Sequence, residues 1–327
     1  MRKLIQGWVH RTGKHCASTV LSDLCHFYGL NLSEAFCLGL GAGLGFFYAE
    51  SDALNPTRMI MTRSQSLEAN FFRNLEMEFE WRTEPEPEQG WEKVKQCLDQ
   101  NVPVLLRADI FHLDHYKSQT HFPLHIILIW GYDQEKNIAY IADTGWEGLI
   151  EIPLGSLSKA RYSRIPFAAN RGEYFPVVLP PKIEGLEQKA RNAVKLQAAE
   201  MRDSGCHAAV RKAGESVGSW PQAKDAGWCF RWAYQIIERR GTGGGAFRKI
   251  YAQFLKEAGQ ISPAFAHFAP AGEMEIIGDK WTELSMLLKA LSEAEPPKEP
   301  ELNKARGLFL DLASREQSFF EQAEKKL

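Results

Sequence analysis

One thiol in this sequence stands where a thiol becomes reactive. Cys16 opens a segment in which Val20, Leu21, Leu24, Cys25 and Tyr28 recur at helical spacing, with Gly29 as a stop. A cysteine at a helix start, behind a turn that includes Gly13, feels the positive end of the helix dipole and the N–H groups of the first turn. Both favour the thiolate, and the same N–H groups can steady an oxyanion once that thiolate has attacked a carbonyl. Its partners lie downstream. His125 opens the apolar run His125-Ile-Ile-Leu-Ile-Trp-Gly-Tyr132, and Asp143 closes Ile138-Ala-Tyr-Ile-Ala-Asp143. The two runs read as strands of an antiparallel hairpin, in which residues at matching ends are neighbours, so imidazole and carboxylate come within hydrogen-bond reach. The expectation is a Cys16 nucleophile, a His125 base and Asp143 to orient the ring.

Other constellations compete. Cys25, Cys37 and Cys97 lie on apolar helical faces and read as small buried hydrophobes. His112, His115, His121 and His125 crowd together, which raises a metal site. Pro123 and the strand after it break the helix that would put His121 and His125 on one face, and no Cys or Glu stands at a ligand spacing. No metal and no cofactor are therefore expected. Gly41-Ala-Gly-Leu-Gly-Phe46 lacks both the GxGxxG spacing and a Lys-Ser/Thr ending, so it reads as a close backbone approach or tight turn. Beneath the active site, Gly43 and Gly45 would border the substrate.

The elements that must position these residues fall into two halves. Residues 1–180 read as a mixed domain, with helices after Cys16, after Ser33, over 66–78 and over 89–101, and strands at 103–109, 125–132, 138–143 and 148–152. Pro176, Pro180 and Pro181 punctuate a linker, after which 183–203, 206–217, 225–240, 246–258, 279–293 and 302–325 read as helices, with an exposed loop at 293–300. The fold class expected is α+β: a papain-like cysteine-enzyme domain over 1–180, then an all-α domain over 181–327. A helix-start cysteine facing a strand-borne His and Asp, in the order Cys, His, Asp, is the logic of papain-like enzymes. The 327 residues suffice for two cores, and a net charge of −2 argues against nucleic acid as a partner. There is no signal-like apolar run at the start, no apolar stretch of about 18 residues to span a membrane, and no CxxC pair among the six cysteines. A reduced, cytoplasmic protein is expected.

His15-Cys-Ala-Ser-Thr-Val-Leu21, Leu32-Ser-Glu34 and Leu38-Gly-Leu-Gly-Ala-Gly-Leu-Gly-Phe-Phe-Tyr48 closely resemble the N-terminal domain of the butirosin biosynthesis protein H family, over roughly residues 10–175. Gly241-Thr-Gly-Gly-Gly-Ala-Phe-Arg248 resembles the helical domain of unassigned function often fused to it. The resemblance implies a papain-like fold and, for the founding member, acyl transfer from an acyl carrier protein thioester to an amine of an aminoglycoside. Cys16, His125 and Asp143 match the expected cysteine, histidine and acid. Ala17 follows the cysteine where the family often carries Glu, which leaves the acceptor amine open. Papain-like enzymes tend to carry a glutamine several residues before the cysteine as an oxyanion donor, and His10 takes the comparable place.

The activity expected is thus acyl transfer through a Cys16 acyl-enzyme, from an acyl carrier protein or other thioester donor to a small amine. Hydrolysis by the same residues, as a peptidase or amidase, is the alternative, and a non-catalytic binding module is a third. The helical half is expected to close over the site and exclude water. Its glycine turn, through Gly243, Gly244 and Arg248, would meet a phosphate or carboxylate of the substrate, with Trp228 and Arg231 lining the same cleft.

Overall fold

The computed structural model describes residues 1–165, 168–268 and 270–327. In chain order the first elements are β1 (Arg2–Leu4), α1 (Cys16–Phe27), α2 (Glu34–Leu40), β2 (Leu44–Glu50), β3 (Arg58–Arg63), α3 (Leu67–Asn74), α4 (Pro87–Asp99), β4 (Val104–Ala108), β5 (His125–Asp133), β6 (Ile138–Ala142) and β7 (Ile150–Pro153). There follow α5 (Leu154–Arg161), β8 (Arg164–Ile165), β9 (Ala168–Ala169), β10 (Tyr174–Pro176), α6 (Leu186–Asp203), α7 (Cys206–Ser216), α8 (Ala226–Glu238), α9 (Arg248–Ile261), α10 (Pro263–Phe268), α11 (Pro270–Glu293) and α12 (Glu299–Lys326). Two compact units result, one of Met1–Cys37 with Met77–Glu184, the other of Leu38–Glu76 with Gly185–Leu327.

The first unit is built on an antiparallel sheet in the order β10-β4-β5-β6-β7. β5 is its spine. All nine of its residues are buried, which explains why it reads as an unbroken apolar run rather than an alternating one. β4 pairs with the first part of β5 and β1 with its last part, so the two follow one another along one edge, while β6 takes the other edge. The register sets Ala108 opposite His125 and Leu128 opposite Ala142, which brings the start of β5 and the end of β6 to the same end of the sheet. α1 packs on β5, with Phe27 edge-on to Trp130 at 5.0 Å between ring centroids. Residues 16–25 of this helix are all buried, more than an amphipathic stripe would cover.

The second unit departs from the boundary expected at 180/181 and is not all-α. The hairpin β2–β3 and helix α3 fold together with α6–α12. Side chains of α6 and α7 satisfy the backbone of β2, as a neighbouring strand would. Gln197 accepts from Leu44 N at 2.8 Å and donates to Leu44 O at 2.9 Å, and Cys206 Sγ accepts from Phe46 N at 3.2 Å. This hairpin escapes a reading by periodicity. A bulge between Leu44 and Phe47 interrupts its alternation, and its inner face meets helices that lie more than a hundred residues away in sequence. The expected helices are present, with α11 starting earlier than expected, at Pro270, and α10 as an additional short helix. No helix of the described residues is long and apolar enough to cross a membrane.

Candidate active site

Cys16 is the first residue of α1, and His15 is the N-cap in extended backbone conformation. The buried imidazole of His15 takes the role usually left to Ser or Asp, with Nδ1 accepting from Ser18 N at 3.4 Å and lying 3.1 Å from Ser18 Oγ. The loop ahead of it is latched by the Glu34 carboxylate, the first residue of α2. Glu34 accepts from His15 N at 2.7 Å, from Lys14 N at 2.9 Å and from Thr19 Oγ1 at 3.1 Å. Gly13 is obligatory in this latch, because a Cβ there would lie 2.1 Å from Thr19 Oγ1. Gly13 N also donates to Thr144 O at 2.8 Å, which straps the loop before Cys16 to the loop after Asp143.

The three groups singled out in the sequence meet at this strap. His125 Nε2 donates to Asp143 Oδ1 at 2.8 Å, and the same ring is hydrogen-bonded with the Cys16 thiol. Cys16 is 7% exposed, His125 5% and Asp143 0%. Burial opposes ionisation of the thiol, yet its interactions with His15 and His125 outweigh burial and hold Cys16 well below the ordinary thiol range. Burial likewise pulls against the imidazolium, but the Asp143 charge and hydrogen bond, together with Cys16, push His125 up to about 10. Asp143, though buried, is held below the ordinary carboxylate range by His125 and His115. Both shifts run in the direction that favours a thiolate beside an imidazolium.

Three further groups complete the setting of Asp143. His115 Nε2 donates to Asp143 Oδ2 at 2.8 Å, Tyr116 Oη donates to Oδ1 at 3.2 Å, and Thr144 Oγ1 donates to Oδ1 at 3.1 Å. Trp146 stands edge-on to His115 at 4.6 Å and to Tyr116 at 4.5 Å. The carboxylate thus holds two histidines, one on each oxygen. The crowding of histidines at 112–125 was the only sequence signal for His115. For His15 it was adjacency to the cysteine.

His10 does not serve as expected. Its side chain is fully buried, with Nδ1 2.6 Å from Asp23 Oδ2 and Nε2 donating to Trp146 O at 2.8 Å. Burial would lower its pKa, but Asp23 and the Trp146 carbonyl outweigh burial and raise it. Both ring nitrogens are committed, so His10 has no N–H to offer an oxyanion. Instead it fixes the Trp146 turn to α1.

The groups expected to border substrate are likewise occupied within the second unit. A Cβ on Gly43 would meet Leu38 and Leu67 at 2.9 Å, and one on Gly45 the Arg63 backbone at 2.7 Å, so these glycines admit neighbours of the hairpin. Arg248 is fully buried. It grips Glu316 with two bonds of 2.7 and 2.9 Å, and donates to the carbonyls of Gly45, Thr62 and Ala246. Its guanidinium is spent on the fold. The glycine turn does bind an anion, but that anion is Glu238, which accepts from Gly245 N at 3.1 Å. Gly243 and Gly244 supply the positive φ angles of +65° and +86° that the turn needs, and Gly244 N donates to Thr242 Oγ1. Arg231 pairs with Glu293 at 2.9 Å, and half-buried Trp228 stands edge-on to Trp232.

The first unit thus sets a buried cysteine at a helix N-terminus beside a histidine and an acid at one end of an antiparallel sheet. The chain belongs to the butirosin biosynthesis protein H-like family with its fused helical domain: the model of Butirosin biosynthesis protein H, N-terminal, matches residues 15–144, and that of the Domain of unknown function (DUF4872) matches residues 155–323. The first match begins one residue before Cys16 and ends one residue after Asp143. No curated protein matches the chain.

Proposed function

We propose that this protein is a cysteine-dependent acyltransferase of papain-like fold that moves an acyl group from a carrier-protein thioester to a small amine. The observation that carries the reading is the Cys16 thiol at the start of α1, hydrogen-bonded with His125, whose ring is in turn fixed by the buried Asp143. Its family is named for butirosin biosynthesis, which supports a role in making a specialised metabolite. The chemistry needs a reduced thiol, which fits a cytoplasmic setting.

Cys16 thiolate attacks the thioester carbonyl, and the oxyanion forms beside the N–H groups that open α1. Collapse breaks the bond to the carrier sulfur, which leaves as a thiol with the proton from His125. The neutral ring then takes the proton of the incoming amine as nitrogen attacks the acyl-enzyme. A second collapse forms the amide and restores the thiolate–imidazolium pair. Thioester to amide is downhill, so no nucleotide drives the reaction.

The test is incubation with an acyl carrier protein thioester, followed by intact-mass and peptide analysis. An acyl adduct on Cys16, discharged faster by added amines than by water, is the expected result. Discharge by water at the same rate with or without amines would make the protein a hydrolase. Absence of any adduct in a protein that still alkylates at Cys16 would refute the thioester reading.

A further inference from the structure

The stretch between β4 and β5 carries His115 and Tyr116, two of the residues that grip Asp143, and its two ends converge on one carboxylate. Asp109 is fully buried at the end of β4. Its Oδ1 accepts from Phe111 N at 3.1 Å and Phe122 N at 2.8 Å, and Ile110 N donates to Phe122 O at 3.3 Å, which closes the loop on itself. Oδ2 accepts from Ser163 Oγ at 2.6 Å and lies 2.7 Å from His121 Nδ1. A short turn over Ile110–His112 swings His112 to the same place, and ligand atoms of Asp109, His112 and His121 all lie within 4.8 Å of one another. Phe111 stacks on the His121 ring at 4.1 Å between centroids.

We propose that Asp109, His112 and His121 bind one divalent ion of the zinc type, which clips together the two ends of the loop that holds Asp143. Two imidazoles and a carboxylate are the donor set that zinc, cobalt and nickel prefer over magnesium or calcium. Ligands at about 2.1 Å from a tetrahedral ion sit about 3.4 Å apart, so the present spacing needs only small ring rotations. His112 is half-buried and His121 exposed, so they can turn, while buried Asp109 stays put with a hydrogen-bonded outer shell of the kind that orients a metal-bound carboxylate. In binding, His121 Nδ1 gives up its contact with Asp109 Oδ2 to the ion and keeps its proton on Nε2. The helix argument that excluded a metal from the sequence considered His121 with His125. The structure groups His121 with His112 and Asp109 instead, through a turn and a loop closure.

Cobalt is the probe of choice, because its spectrum reports the ligands. The titration uses the Cys16→Ser protein, which removes the thiolate as a competing ligand and makes the result independent of the acyltransferase reading. One equivalent of Co²⁺ should bind with visible d–d absorption and no sulfur charge-transfer band, and Zn²⁺ should displace it. His112→Ala and His121→Ala, both at solvent-accessible positions and checked for folding by circular dichroism, should each weaken binding at least about tenfold. His267→Ala, in α10, should leave it unchanged. Failure to bind one equivalent below about 100 µM, or binding that survives both histidine substitutions, would overturn the proposal.

Discussion

At the scale of single residues, exposure and reactivity point to different thiols. Cys97 is the most accessible of the six cysteines, yet burial raises its pKa, whereas Cys16 is nearly buried and held low by His15 and His125. Iodoacetamide at pH 6.5 should therefore label Cys16 first, and peptide mapping that found Cys97 ahead of it would show that the thiolate is not formed. His125→Ala removes the partner and should slow Cys16 alkylation at that pH by at least about tenfold. The sign of the alkaline dependence follows from His125. Its folded pKa lies above its unfolded one, so its stabilising contribution is full below the unfolded value of about 6.5 and is lost as pH rises through about 10. Transfer activity should fall over that upper range as the imidazolium disappears. Asp143→Asn removes the charge that raises His125, so the alkaline limb should move down by at least about one pH unit, and more activity is lost than orientation alone would cost. A pH–rate profile whose alkaline limb stayed in place would mean that Asp143 does not set the ring's charge.

At the scale of elements, the β5–β6 hairpin was legible because two apolar runs flank a polar turn, although a bulge between Ile129 and Gly131 shifts the register before the end where His125 and Asp143 fall. The start of α1 was legible for the same kind of reason, from helical spacing after Cys16 and a stop at Gly29. What could not be read was which partners fill a loop. His115 and Tyr116 reach Asp143 from a segment without periodicity, and His10 resembled a donor by position while its neighbours, Asp23 and Trp146, came from folding. Glu34 shows how much such a contact decides. One carboxylate on α2 collects two backbone N–H groups and a hydroxyl from the turn and first residues of α1, and so sets the angle at which Cys16 meets His125. Glu34→Gln halves the acceptor capacity and removes the charge. It should lower the Cys16 alkylation rate and turnover several-fold with a small change in melting temperature, and Glu34→Asp should restore only part, being one methylene short. A Glu34→Gln protein with unchanged alkylation would show that the latch is redundant with the Gly13–Thr144 strap.

At the scale of the whole molecule, the two units hold themselves together by different means. The first rests on an apolar spine strand, the second on a buried ion pair inside an apolar shell. Arg248 and Glu316 are both fully buried, Trp281 Nε1 donates to Glu316 at 2.6 Å, and the remaining guanidinium bonds run to carbonyls of β2, β3 and the glycine turn. Arginine near a glycine turn invites the expectation of an anion-binding surface, because sequence displays residue types but not which acid lies opposite. The acid here is 68 residues away, on α12. The consequence reverses what a substrate-binding role would give. Arg248→Ala strands a buried carboxylate and three carbonyl oxygens, and should cost about 3–5 kcal/mol of stability. Glu316→Leu strands the guanidinium and should cost a similar amount. Replacing both, as Arg248→Met with Glu316→Leu, removes both charges together and should recover much of the loss, because desolvation of the pair offsets most of its attraction. Urea unfolding of the three variants followed by circular dichroism measures this coupling directly. Additive losses in the double variant would mean that Arg248 matters chiefly for the carbonyls it caps, and unchanged stability in Arg248→Ala would mean that its side chain is free to meet a ligand after all.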